Sequence, residues 1–138
     1  MKTLHTAYRV SDLERSLAFY RTVGFHEIGR VAPGDESLLV MLHLPDDGDV
    51  VTLELVHAPA RGAVEIGTGF SHIAVQVGDL AAVLATLTAA GIACGGIERP
   101  GGEAGPAVST LYDPDGYGIE LVQWPPSHAD DMTSADFR

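Results

Sequence analysis

Cysteine is nearly absent: Cys94 is the single thiol among 138 residues. No intrachain disulfide framework can form, and a reducing compartment is the natural setting. Basic residues are scarce too. Eight Lys and Arg stand against 19 Asp and Glu, for a net charge of −11. Binding to nucleic-acid phosphates needs clustered cations, so a nucleic-acid partner is excluded and the acidity reads as a solubility device. No apolar run reaches the ~18 residues that would span a bilayer. The N-terminus runs straight into patterned sequence with no room for a signal peptide, so a cytoplasmic protein is expected. What is present is ordinary: 46% hydrophobic and 20% charged residues, in a length that suits one domain with a real core.

The ordering principle is an internal repeat. His5-Thr-Ala-Tyr-Arg-Val-Ser-Asp-Leu13 returns as His72-Ile-Ala-Val-Gln-Val-Gly-Asp-Leu80, an offset of 67 residues. Both copies read His-x-Ala-x-x-Val-x-Asp-Leu. Gly24-Phe25 answers to Gly91-Ile92. A second pair closes the halves: Leu53-Glu54-Leu55-Val56 and Ile119-Glu120-Leu121-Val122. Each half therefore opens on a histidine and ends on a glutamate.

Alternation over residues 3–10 predicts a strand with His5, Ala7 and Arg9 on one face. Ser11-Asp-Leu-Glu14 has the form of a capping box, which starts a helix near residue 12. Leu13, Leu17 and Tyr20 form its inward stripe, and Gly24 ends it. Strands are expected over 25–31, 38–44 and 50–56, with turns at 32–37 and 45–49. The second half repeats the order after a Gly-containing linker. A strand over 72–77 puts His72, Ala74 and Gln76 on one face. Asp79 caps a helix carrying Leu80, Val83, Leu84 and Leu87 inside, and Gly91 ends it. Further strands are expected over 92–97, 107–112 and 117–123. Residues 99–106 are too rich in Gly and Pro for regular structure, and Asp113-Pro-Asp-Gly116 is a turn. The fold class is α+β: one domain over 1–123 made of two βαβββ modules (1–57 and 70–123, linker 58–69), then an irregular tail over 124–138.

The repeat also proposes a site. His5 and His72 fall on first strands, Glu54 and Glu120 on last strands, beside small or apolar residues of their own face: Ala7, Ala74, Val56 and Val122. Two carboxylates in such surroundings are costly and would repel each other. A divalent cation removes both problems. A set of two His and two Glu suits a borderline first-row metal such as Ni, Co, Zn, Mn or Fe(II), and leaves octahedral positions open for substrate. Arg9 shares the His5 face, and its repeat partner is neutral Gln76. An inward arginine wants an anion, either a substrate carboxylate or a structural partner. His57 alternates off the Glu54 face and reads as a rim residue. His26, His43 and His128 read as surface positions, and Cys94 as a small core residue without a neighbour that would activate it.

With these motifs in place, the chain resembles the vicinal oxygen chelate superfamily and, within it, glyoxalase I. The residues that carry the resemblance are Leu4-His5-Thr6, Arg9-Val10, Asp12-Leu13, Phe19-Tyr20, Gly24, Glu54-Leu55, Gly67-Thr68, His72-Ile73-Ala74, and Asp113-Pro-Asp-Gly-Tyr117 with Ile119-Glu120-Leu121. The resemblance implies paired βαβββ modules whose curved sheets enclose a metal, with His5, Glu54, His72 and Glu120 as its ligands. His at position 5 in a short chain resembles the nickel- or cobalt-activated class more than the zinc class. The activity implied is conversion of a 2-oxoaldehyde–thiol hemithioacetal, such as that of methylglyoxal, into a 2-hydroxyacyl thioester through a metal-bound enediolate. Glu120 is the implied base, Glu54 its counterpart in the repeat, and Arg9 the residue for a substrate carboxylate. The related glyoxalases imply a homodimer whose two sites each draw a His and a Glu from either subunit. An epimerase, an Fe(II) dioxygenase or a non-catalytic binding or resistance protein are the alternatives inside the superfamily. Three departures bear on the thiol. Ala58 stands where the family has a glutathione-binding Asn, Glu103 lies in a loop that often bears Lys, and Ser71 replaces the Gly before the second His.

Overall fold

The computed structural model describes residues 1–128 and 131–138. It divides into two compact units, Met1–Phe70 with Asp113–Tyr117, and Ser71–Tyr112 with Gly118–Arg138.

In the first unit the order is β1 (Thr6–Arg9), α1 (Leu13–Val23), β2 (His26–Val31), β3 (Leu38–His43) and β4 (Leu53–His57). The sheet order is β1-β4-β3-β2, with β1 parallel to β4 and the other pairs antiparallel. Tyr8 and Val10, Val40 and Leu42, and Leu53 and Leu55 are buried. These residues share one face by alternation. Helix α1 covers that face with Leu13, Ser16, Leu17 and Tyr20. Its start differs in detail from the sequence expectation. The N-cap is Asp12, whose carboxylate accepts from Arg15 N at 3.0 Å. Ser11 lies one residue outside the cap, and its backbone N–H and hydroxyl donate to the Asp115 carboxylate. Gly24 ends the helix at φ 120°, a conformation that costs glycine little.

An aromatic cluster fills the interior of this unit. Tyr8 stacks on Tyr117 at 4.2 Å and meets Phe70 edge-on at 5.8 Å, while Tyr20 meets Phe25 at 5.5 Å. The hydroxyls of Tyr8 and Tyr20 are hydrogen-bonded, and Tyr20 donates to Asp113 Oδ2 at 2.9 Å. Asp113 Oδ1 also accepts from the amides of Asp115 and Tyr117, which closes the expected turn at 113–116. Burial pushes both tyrosine hydroxyls well above their ordinary pKa.

The second unit contains β5 (His72–Gln76), α2 (Leu80–Ala89), β6 (Ala107–Tyr112) and β7 (Gly118–Gln123). Its sheet has the order β5-β7-β6, with β5 parallel to β7. Asp79 caps α2 by accepting from Ala82 N, and the Gln123 side chain accepts from Leu80 N at 2.8 Å. Leu80 and Leu87 are the buried residues of α2; Val83 and Leu84 are half-buried. The helix is capped at Ala90, with Gly91 following at φ 86°.

The expected strand over 92–97 does not form. Isolated bridges, Cys94 to Leu111 and, just past the segment, Glu98 to Val108, join it to β6, and the Ser109 hydroxyl donates to Gly95 O at 2.9 Å. Gly95 and Gly96 weaken strand propensity here. Gly95 also lies so close to β6 that a Cβ would stand 3.0 Å from Thr110 O. The modules thus carry four and three strands. Cys94 is half-buried beside Leu111 and is not a core residue.

The tail is less irregular than expected. Ser134–Phe137 form a 3-10 turn capped by Thr133. His128, expected as a bare surface residue, stacks on Trp124 at 4.0 Å and lies 2.8 Å from Asp136. Residues 129–130 of the expected irregular tail lie outside the described residues. Among the described residues no helix is long and apolar enough to cross a membrane.

Candidate functional site

Each unit brings its own histidine to its own glutamate. His5 immediately precedes β1. Glu54 lies on β4 opposite Ala7, two residues further along β1. Alternation then puts His5, Ala7 and Glu54 on the sheet face away from α1. His5 Nε2 lies 2.9 Å from Glu54 Oε2. Met41 is opposite Glu54 on the other side, and Val56 follows on the same face. In the second unit Glu120 on β7 lies opposite Ala74, again two residues beyond the histidine, and Thr110 of β6 flanks it. His72 Nε2 is 3.8 Å from Glu120 Oε1. Among the described residues no three His, Cys, Asp or Glu side chains gather into one metal-binding group. The arrangement is two matched pairs, one in each unit.

The donor chemistry of each pair fits a divalent cation. In octahedral coordination with bonds of about 2.1 Å, neighbouring ligand atoms stand about 3.0 Å apart. The His5–Glu54 spacing of 2.9 Å has that size. The same spacing suits an imidazole N–H donating to the carboxylate. The pair can therefore share a proton, or supply two adjacent ligand positions to a cation. The second pair is too open for a direct hydrogen bond at 3.8 Å.

Among the described residues Arg9 forms no ion pair with an acidic side chain. Its Nη2 donates to Gly62 O at 2.5 Å and to Ala58 O at 3.3 Å. Its Nε is buried and has no hydrogen-bond partner among the described residues. Arg9, Ser11, His57, Ala58 and Gly62 line a cleft of about 340 Å³. His57 stands at the end of β4 and contributes to this wall. Ala58 is buried, and its methyl offers no hydrogen bond at a place where the resemblance calls for an amide. Glu103 lies exposed in the 99–106 loop.

One further polar group was not singled out from sequence except as a departure from a pattern. Ser71 Oγ lies 2.8 Å from His72 Nδ1. The signal available was a hydroxyl directly before the second repeated histidine, where the first copy has Leu4.

These pairs sit in a chain with clear relatives. Residues 2–121 match the model of the Glyoxalase/Bleomycin resistance protein/Dioxygenase superfamily, and the chain belongs to that superfamily. A lactoylglutathione lyase of Neisseria meningitidis serogroup A is 36% identical over 135 residues, covering 89% of this chain and 91% of that protein. A lactoylglutathione lyase of Escherichia coli O157:H7 is 34% identical over 136 residues, covering 89% and 93%. Among solved structures, the trypanothione-dependent glyoxalase I of Leishmania major aligns with a TM-score of 0.68 at 30% identity, covering 89% of this chain and 86% of that one. Glyoxalase I of Zea mays aligns with a TM-score of 0.77 at 26% identity, covering 87% of this chain and 43% of that one.

Proposed function

We propose that this chain is a divalent-metal-dependent glyoxalase I-like enzyme that isomerises the hemithioacetal of a 2-oxoaldehyde to a 2-hydroxyacyl thioester. The observation that carries the reading is the pair of matched His–Glu contacts, His5–Glu54 and His72–Glu120, each built at the same strand register. Relatives named lactoylglutathione lyase, aligned over most of their length, support it.

His5, Glu54, His72 and Glu120 would hold the ion, with nickel or cobalt favoured and zinc possible. When bound, such an ion supplies Lewis-acid stabilisation of negative charge on the substrate oxygens. The chain's own part is proton transfer. Glu120 takes the proton from the carbon that bears the thiol and hydroxyl, and returns it to the adjacent carbonyl carbon. No redox partner is needed, because the product is an isomer of the adduct. Each pair supplies two ligands, so a complete set takes one pair of each kind. A homodimer that joins the first pair of one protomer to the second pair of its partner provides this twice. A glyoxalase in the reducing cytoplasm also fits the single unpaired thiol of Cys94.

The thiol is where this chain differs from the pattern it resembles. The Ala58 side chain offers no hydrogen bond, Glu103 adds negative charge where a cation would help, and Arg9 already donates to two carbonyls. We therefore expect glutathione to be a poor thiol here. The Leishmania major enzyme, described as trypanothione-dependent, is a relative that uses another thiol. The test is a matrix of Ni²⁺, Co²⁺ and Zn²⁺ against several low-molecular-weight thiols with methylglyoxal, following thioester absorbance. Turnover with Ni²⁺ or Co²⁺ that vanishes in Glu120→Gln is the expected result. No thioester under any combination would refute the assignment.

A further inference from the structure

His5 and His72 hold the same place in the repeat, yet the residues before them differ. Leu4 precedes His5, and Ser71 precedes His72. Ser71 Oγ stands 2.8 Å from His72 Nδ1, while Nε2 on the other side of the ring faces Glu120. A neutral imidazole carries its proton on one nitrogen only. Nε2 can offer a lone pair to a cation only if that proton is on Nδ1, and an Nδ1–H group needs an acceptor. Resting on the metal reading above, we propose that Ser71 is that acceptor: a positioning residue that holds His72 in the Nδ1–H form and keeps its Nε2 lone pair on the Glu120 side.

The two halves show why the hydroxyl is needed in one place and not in the other. The His5 and Glu54 side chains are 21% and 12% exposed, against 40% and 30% for His72 and Glu120. His5 is restrained by its surroundings and by the 2.9 Å contact with Glu54. His72 has less cover and no direct hydrogen bond to its glutamate. The torsion that turns an imidazole is broad, so an exposed ring keeps one orientation only if something grips it. The backbone holds the gripping group in place. His72 pairs with Gly118, and a Cβ on Gly118 would stand 2.7 Å from Ser71 O. The Ser71–His72 segment therefore lies tightly against β7, which fixes the backbone that carries both the hydroxyl and the ring.

Two measurements test the proposal on the full-length protein. Long-range ¹H–¹⁵N spectra of the metal-free protein near pH 8 report which His72 nitrogen bears the proton, with the signal assigned by its loss in His72→Ala. Ni²⁺ affinity is measured separately by competition with a chromogenic chelator. The wild type is expected in the Nδ1–H form. Ser71→Ala should move His72 toward the Nε2–H form, leave the His5 signals in place, and weaken Ni²⁺ binding about tenfold. Ser71→Thr should restore both. An unchanged tautomer in Ser71→Ala overturns the proposal, whatever happens to affinity, because a merely structural serine would not move that signal. Wild-type protein that binds no Ni²⁺ would refute the metal reading instead, and the metal-free spectra would still decide whether Ser71 sets the ring.

Discussion

Glu120 stands opposite Ala74, two residues beyond His72, just as Glu54 stands opposite Ala7, two residues beyond His5. The two glutamates keep this register although their distances in sequence from the histidines differ by one residue. A one-residue slip in either sheet would move its glutamate to the other face and dissolve the pair. The proposed chemistry rests on this register. Glu120→Gln should keep the fold, since the side chain is half exposed and of equal size. It should lower thioester formation by at least about 100-fold, the lower range for loss of a general base. Steady-state turnover with the metal-loaded variant checks this, with circular dichroism as the folding control.

The assembly prediction is specific enough to be counted. One variant carries His5→Ala with Glu54→Ala, and a second carries His72→Ala with Glu120→Ala. Each alone should be inactive. Unfolded together and refolded as an equal mixture, half of the dimers contain both chains, and each such dimer has one intact site of two. About a quarter of wild-type activity should return if each site joins pairs from different protomers. No recovery, with mixed dimers demonstrated by native mass spectrometry, would rule out the inter-chain site.

Asp113 gives a stability prediction. Its carboxylate accepts from Tyr20, Asp115 N and Tyr117 N, and it is buried. Asp113→Ala leaves these donors without their acceptor and should cost about 2–3 kcal/mol in urea unfolding. Its pH dependence has a definite sign. Burial raises the carboxyl above its ordinary range despite the hydrogen bonds that pull it down. The folded state therefore holds this proton more tightly than the unfolded state. The favourable contribution is complete below the ordinary carboxylate pKa and is lost as pH rises through the raised folded value. Relative to Asp113→Asn, the wild type should lose stability as pH rises above the ordinary carboxylate range, about pH 4. A wild-type advantage that grows over this rise would contradict the assignment.

The start of α1 separates two readings of one short motif. Asp12→Ala should cost about 1 kcal/mol through loss of the cap. Ser11→Ala should act through the Asp115 contact and leave the helix start intact. Amide exchange at Arg15 N distinguishes them: protection falls in Asp12→Ala and is kept in Ser11→Ala.

Much of this was legible in the chain because the repeat and its patterning are strong local signals. The His–Glu pairs, the stripe Leu13-Leu17-Tyr20, the Gly24 and Asp79 caps and the turn at Asp113 all follow from spacing and residue type. What escaped depends on long-range partners. Ser11 has the look of a cap, yet the cap is Asp12, and the Ser11 hydroxyl donates to Asp115, over a hundred residues later. The segment 92–97 has the apolar content of a strand, but its glycines allow a close, irregular run beside β6 that makes only isolated bridges. Arg9 also donates to backbone carbonyls of Ala58 and Gly62, about 50 residues away. Such competition among acceptors has no periodicity to read.

The parallel pairing of β1 with β4, and of β5 with β7, has a consequence for how the protein matures. Parallel neighbours cannot be joined by a hairpin, so a helix and further strands must be laid down before the first strand meets the last. A nascent or broken module therefore presents a lone histidine or a lone glutamate, never a chelate. A cation that needs both would bind only modules that have closed. Free metal at a hundred times its dissociation constant would hold them closed by about 2.7 kcal/mol. Metal supply would then act as a proofreader of the fold, favouring chains in which every strand has found its neighbour.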